Sequence, residues 1–333
     1  MVGPFLSRSL SAARGRCIAD GVSAFSRGFS HVSSDSGEDA NPGTAVDRRR
    51  RATRDEIRIR DRVRILQLKG GIAHVVLSRS SKLNSLDIQM FEAVAEAASR
   101  LGSDPDLARN LRAVVISGEG RAFSTGLDAK SVALSGPKSA MKILLERPSP
   151  YGGEDGIGNL AQDVCILWRR LPVPVIACLH GMCFGGGLQI ALGADMRFST
   201  PDCKLSIMES RWGLIPDMAA SVCLRELVPI DVAKELTMTG RIITGEDARR
   251  VGLVTRCVDD PIEEAFRVAA EIAERSPDSV ASAKELFQTT WTADEADCLR
   301  RETDLQMNLL ETWNQLAASC RNFGVNLPYF NPK

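Results

Sequence analysis

The sequence predicts an α/β protein with an all-helical C-terminal end. From about Ile57 short apolar runs alternate with amphipathic segments, the order of a sheet covered by helices. From residue 278 to about 320 only helical periodicity remains. At 333 residues the chain is long enough to bury a core without staples.

Residues 1–34 carry Arg8, Arg14, Arg16 and Arg27, many serines and a single acid, Asp20. Leu6, Leu10, Ala13 and Cys17 fall on one helical face, which is the make-up of a mitochondrial transit peptide. Arg27-Gly28-Phe29-Ser30 reads as a processing site, so delivery to the mitochondrial matrix is expected. Residues 35–55, rich in Ser, Asp, Gly and Pro, read as a disordered linker, with Arg48 to Arg51 as a solvated tether. The core is expected over 56–276 and the C-terminal helical region over 277–333.

Within the core, Val63 to Leu68 and Ile72 to Leu77 flank Lys69-Gly70-Gly71 and read as a hairpin. Asp87 can cap a helix whose apolar face is Ile88, Phe91, Val94, Ala95, Ala98 and Leu101. Leu111 to Ile116 and Pro174 to Leu179 read as buried strands, Met196 to Phe198 and Lys204 to Ile207 as short ones. Residues 135–158, mixing Gly, Pro and charge, read as an insertion loop. Thr244 and Asp247 form a capping box opening a helix that ends at Gly252, followed by a strand over Leu253 to Val258. Pro261 starts a helix to Ser276, and Pro277 forbids its continuation.

Composition excludes several function classes. The 42 basic and 42 acidic residues cancel, which argues against nucleic-acid binding. No apolar run reaches the ~18 residues of a membrane span; the stretch Pro172 to Leu192 is broken by prolines, His180 and glycines. Nine cysteines without a Cys-x-x-Cys argue against a disulfide scaffold or zinc knuckle and for a reducing compartment. Three histidines, His31, His74 and His180, leave little for a metal site, and none is expected. A Ser-His-Asp triad has no Gly-x-Ser-x-Gly elbow to stand on.

Three segments have the residue types for chemistry. Gly120 to Asp128 follows a strand, and Gly126 is either part of an ordinary turn or lets neighbouring amides converge on one point. Gly185-Gly186-Gly187 follows a buried strand and opens the apolar run Leu188 to Leu192. It serves either tight helix-on-strand packing or a free amide at a helix start. Glu209 and Asp217 lie eight residues apart in a loop with Trp212, Leu214 and Ile215. A desolvated carboxyl there suits a general acid or base; the plainer reading pairs Glu209 with Arg211 or Arg197.

Taken in order, a set of markers resembles the crotonase (enoyl-CoA hydratase/isomerase) superfamily over about residues 57–285. They are Lys82-Leu-Asn-Ser-Leu86, Ala122-Phe-Ser-Thr-Gly-Leu-Asp128, Pro172-Val-Pro-Val-Ile176, Gly185-Gly-Gly187, Ala194-Asp195, Glu209 with Gly213-Leu-Ile-Pro216, Thr239-Gly240-Arg241 and Ala248-x-x-x-Gly-Leu-Val254. The resemblance implies a spiral of repeated β-β-α units and a C-terminal helical region that assembles a homo-trimer or hexamer. It implies an acyl-CoA thioester substrate, with CoA part of that substrate and no other cofactor. By position, the amides of Leu127 and Gly186 would form the oxyanion hole. Asp128, Ala129 and Lys130, with Gly185, would line the CoA path, and Lys82 would meet a CoA phosphate.

The family's hydratases position water with two glutamates. One matches Glu209, whereas the other falls on Gln189, an amide that neither accepts nor supplies a proton. The expected function is therefore double-bond migration in an enoyl- or dienoyl-CoA of fatty-acid or related catabolism. Glu209 and Asp217 would share base and acid roles, and Gln189 would orient a water or the acyl chain. Hydration and 3-hydroxyacyl-CoA hydrolysis are the alternatives. A non-catalytic structural or RNA-binding member is the contrasting class, and Glu92 and Glu96 on the 87–101 helix speak against the RNA reading.

Overall fold

The computed structural model describes residues 53–134, 137–152 and 157–330. The expected leader, and the linker up to residue 52, lie outside the described residues. In chain order the elements are β1 (Thr53–Ile59), β2 (Val63–Leu68), β3 (Ile72–Leu77), α1 (Ile88–Ser103), α2 (Pro105–Ala108), β4 (Ala113–Gly118), α3 (Ala129–Leu134), α4 (Pro137–Leu145), α5 (Leu160–Arg170), β5 (Val175–Leu179), β6 (Met182–Phe184) and α6 (Gly186–Leu192). There follow β7 (Met196–Ser199), β8 (Lys204–Ser206), α7 (Ala220–Leu227), α8 (Ile230–Thr239), β9 (Ile243–Thr244), α9 (Gly245–Arg250), β10 (Arg256–Cys257), α10 (Pro261–Ala273), α11 (Pro277–Thr290), α12 (Glu295–Leu309) and α13 (Trp313–Asn322). Short 3-10 turns occupy Ser80–Lys82 and Glu209–Trp212.

The large sheet runs β1-β2-β3-β4-β5-β7-β10 and a small sheet runs β6-β8-β9. β1, β2 and β3 pair antiparallel, and from β3 onward the large sheet is parallel. The chain passes from β5 in the large sheet to β6 in the small one, then α6, then repeats with β7 and β8. That is the expected strand-strand-helix spiral.

A parallel sheet is covered on both faces, so its strands read as continuous apolar runs. In β4, Ala113 and Val115 pack with Ala265, Val268 and Ala269 of α10, while Val114 and Ile116 join the larger core that includes α1 and α5. The Asp87 side chain caps α1 by accepting from the Met90 N–H at 2.8 Å. Thr244 and Asp247 form the expected capping box. The helical C-terminal region is pinned to the sheet through Lys284, whose ammonium meets Asp195 Oδ2 at 2.8 Å and donates to the Val173 carbonyl at 2.9 Å.

Four local expectations change. β1 begins at Thr53, inside the span read as linker; in Ile57 and Ile59 it offers an alternating apolar pair that β2 covers. Residues 135–158 are not plain loop, because α4 buries Ala140 and Leu144, four residues apart on one face. The strand over Leu253 to Val258 shrinks to β10, since the Leu253 and Val254 N–H groups both turn back to the Ala248 carbonyl, at 2.9 and 3.2 Å. α10 stops at Ala273, and Ser276 instead caps α11, accepting from the Ser279 N–H at 3.4 Å.

Candidate active site

The site forms where the loop after β4 meets the start of α6. Asn84 fixes the loop from below. Its side-chain amide donates to the Glu119 and Ala122 carbonyls at 3.0 and 2.9 Å, and its own carbonyl accepts from the Ser124 hydroxyl at 2.8 Å. Ser124 Oγ in turn accepts from the Gly126 N–H at 3.2 Å. Gly126 has φ +79°, and a Cβ there would fall 2.6 Å from the Phe184 carbonyl and 3.3 Å from the Gly186 nitrogen. Only glycine lets the two backbones approach so closely.

Leu86 sets the register of the adjoining amide. Its N–H donates to the Gly126 carbonyl at 2.8 Å, and its carbonyl accepts from the Asp128 N–H at 2.9 Å. This bridge skips the Leu127 N–H. Neither that amide nor the Gly186 N–H has a partner among the described residues. Gly186 opens α6, so its N–H also lies at the positive end of the helix. Two unused donors on backbones in van der Waals contact are what an oxyanion hole requires.

The carboxylate sits across from them. Glu209 Oε1 accepts from Gln189 Nε2 at 2.6 Å, while Gln189 Oε1 accepts from the Met218 N–H at 2.9 Å. Both ends of the Gln189 amide are thus engaged within the protein, and what it orients is Glu209. A Cβ at Gly185 would lie 3.4 Å from Glu209 Oε1, which places the carboxylate against the turn into α6. The second oxygen, Oε2, is buried and has no hydrogen-bond partner among the described residues. Burial pushes the Glu209 carboxyl above its ordinary range, and the nearby Asp217 carboxylate adds to that push against the hydrogen bond from Gln189. Asp217 stands at the exposed rim, and desolvation by the loops around it pushes its carboxyl up as well.

The other sequence candidates separate by burial. Asp128 is engaged in the fold: its carboxylate accepts from Arg79 Nη1 at 2.8 Å and from the Ser131 hydroxyl at 2.8 Å. Against the opposing push of burial, these bonds and the Ser131 N–H hold its carboxyl down at about 2. Ala129, Lys130 and Lys82 are exposed, the first two on α3 and the last in the 3-10 turn that leads to Asn84. The apolar loop residues Trp212, Leu214 and Ile215 are exposed. Arg197 is buried and donates to the Leu253 and Ala194 carbonyls, and Glu209 forms no ion pair among the described residues. Asn84, Ser124 and the Met218 amide are site residues that sequence reasoning missed. Asn84 stood within the Lys82 to Leu86 marker, but its role depends on partners from other loops.

This arrangement can stabilise negative charge on an oxygen and move a proton beside it. A Glu209 base acts only when ionised, so activity should rise as pH increases through its raised pKa. We expect the acid limb of the pH–rate profile above the ~4.3 of an unperturbed glutamate. A limb at that ordinary value would count against Glu209 as the base.

A family model described as enoyl-CoA hydratase/isomerase matches residues 67–317. A carnitinyl-CoA dehydratase of Salmonella typhi is 31% identical over 228 residues, 68% of this chain and 80% of that protein. The enoyl-CoA hydratase EchA19 of Mycobacterium tuberculosis is 26% identical over 243 residues, 72% and 86% of the two chains. The crystal structure of an enoyl-CoA hydratase from Thermoplasma volcanium GSS1 superposes with a TM-score of 0.67 at 26% identity, covering 78% of this chain and 97% of that one. With the paired amides and the half-buried glutamate in the positions described, this chain belongs to the enoyl-CoA hydratase/isomerase family.

Proposed function

We propose that the protein acts on acyl-CoA thioesters and moves a carbon–carbon double bond along the acyl chain through a thioester enolate. The Leu127 and Gly186 amides hold the thioester oxygen as it gains charge. Glu209, with Asp217 at the rim, takes a proton from one carbon and returns it to another. CoA enters with the substrate, and the reaction needs no further cofactor.

The observation that carries this reading is the engaged Gln189 amide. It ties Glu209 to the Met218 N–H and puts no acid or base at position 189, whereas adding water with two flanking carboxylates calls for a second proton-transferring group there. The names of the relatives favour a second reading, reversible hydration. Incubation in deuterated water with 2-enoyl, 3-enoyl and 3,5-dienoyl thioesters of CoA separates the two. Deuterium uptake with a shifted double bond and no added water supports migration. A mass gain of one water on the 2-enoyl substrate establishes hydration and sinks the preferred reading.

Gln189→Glu restores a second carboxyl. It should raise water addition to a 2-enoyl thioester by about tenfold or more, followed as loss of the conjugated-enoyl absorbance. No gain would mean that Gln189 is not what limits hydration.

We also propose a homo-trimer or hexamer. Leu299, Met307, Leu316 and Phe323 leave apolar surface exposed on and beside the C-terminal helices of the isolated chain. Light scattering on the purified protein should give three or six times the chain mass; a monomer would remove this proposal.

A further inference from the structure

Behind the site, Cys165 on α5 and Cys223 on α7 bring their sulfurs to 3.6 Å, although 58 residues of chain separate them. Both side chains are buried in the larger core. Their surroundings differ. Cys223 lines a cavity of about 540 Å³ together with Arg169, Arg197, Lys284 and Trp291, whereas Cys165 is not among its wall residues. That cavity is many times the ~30 Å³ share of a water molecule, and its walls include polar groups. Of the two cysteines, only Cys223 borders space that a small polar oxidant can enter.

We propose that Cys165 and Cys223 are a peroxide-oxidisable dithiol in which Cys223 attacks and Cys165 resolves. Cys223 sulfur attacks one peroxide oxygen and the O–O bond breaks. The leaving hydroxide takes the thiol proton as water, and Cys223 becomes a sulfenic acid. Cys165 sulfur then attacks Cys223 sulfur, the S–O bond breaks, and the departing hydroxide leaves as a second water with the Cys165 proton. Two thiols lose two electrons in all, and one peroxide becomes two waters. Closing the gap to a disulfide near 2.05 Å asks for a movement of about 1.5 Å.

The environment favours this division of roles. The hydrogen bond it shares with Cys165, together with the Arg169 and Arg197 guanidiniums, holds the Cys223 thiol below its ordinary range against the effect of burial. The Cys165 thiol is pushed up. A thiol with more thiolate character beside a resolving thiol is the arrangement of a redox-sensitive pair. Such pairs are compatible with a reducing compartment, where disulfides are transient.

Two contacts connect the pair to the site. α7 begins two residues after Met218, whose N–H holds Gln189, and the Cys165 carbonyl sits 2.1 Å from where a Cβ at Gly193, the C-cap of α6, would lie. Both helices of the pair thus adjoin elements that hold Gln189 and, through it, Glu209.

The test uses the full-length reduced protein, graded hydrogen peroxide, alkylation of the remaining thiols and peptide mass spectrometry. A cross-linked peptide pair joining Cys165 to Cys223, two hydrogens lighter and reversed by a thiol reductant, should appear at lower peroxide than oxidation of the partly exposed Cys257, Cys298 and Cys320. In Cys165→Val, dimedone should label Cys223. Oxidation of the partly exposed cysteines while Cys165 and Cys223 remain fully alkylated would overturn the proposal. So would a cross-link seen only where circular dichroism shows unfolding. None of these readouts uses catalytic activity, so failure here and failure of the proposed reaction are told apart.

Discussion

Glu209→Gln should lower proton exchange at the acyl chain by about 10²–10⁴-fold, the usual worth of a positioned general base. The substitution keeps the shape of the side chain. Its amide oxygen can still accept from Gln189 Nε2, so the link through Gln189 to the Met218 N–H survives and the loop need not move. What disappears is the ionisable oxygen at the Oε2 position, which the wild-type protein keeps buried and unbonded among the described residues. Deuterium incorporation followed by mass spectrometry measures the loss, and thermal melting checks that the fold is retained. A folded variant that exchanges protons at the wild-type rate would remove Glu209 from the mechanism.

Gly126→Ala should cost the reaction about 10²–10³-fold, the effect of losing one oxyanion donor. Two penalties combine at this position. The backbone has φ +79°, where a Cβ is strained, and the added carbon would sit 2.6 Å from the Phe184 carbonyl, which belongs to β6 and cannot swing away like a flexible side chain. The loop must back off from α6, and the Leu127 amide leaves with it. Gly70 separates the penalties, having nearly the same φ, +82°, and nothing within 4 Å of its would-be Cβ. Gly70→Ala should show a stability cost of about 1 kcal/mol with unchanged turnover. Equal turnover losses in the two variants would mean that the close approach to Phe184 has no bearing on the oxyanion pair.

Much of this architecture was legible where the signal was local. The hairpin over β2 and β3, the Asp87 cap and the Thr244 to Asp247 box each involve residues within a few positions of one another, and all three stand in the structure. β6 was less visible, because three residues cannot show an alternation and Met182 to Phe184 looked like part of the glycine segment that follows. α5 went unread although Asn159 and Gln162 form a capping box at its start. In the site, the two loops and the Glu209–Asp217 pair could be named from residue type. The state of Gln189 could not, since its partners lie 20 and 29 residues further along the chain.

The parallel part of the large sheet has a consequence for the chain during synthesis. β3 pairs Ile72 with Ala113, and β4 pairs Val114 with Val175, so each apolar strand waits tens of residues for its neighbour. Loop-closure entropy opposes such pairings, and non-local parallel strands assemble slowly. The amide pair forms only after both Gly126 and Phe184 are in place, and the hold on Glu209 forms only after Met218 has arrived. The site is therefore completed in steps, and late. A nascent or truncated chain that stops short of Met218 has every strand up to β8 but lacks the amide that anchors Gln189 behind Glu209.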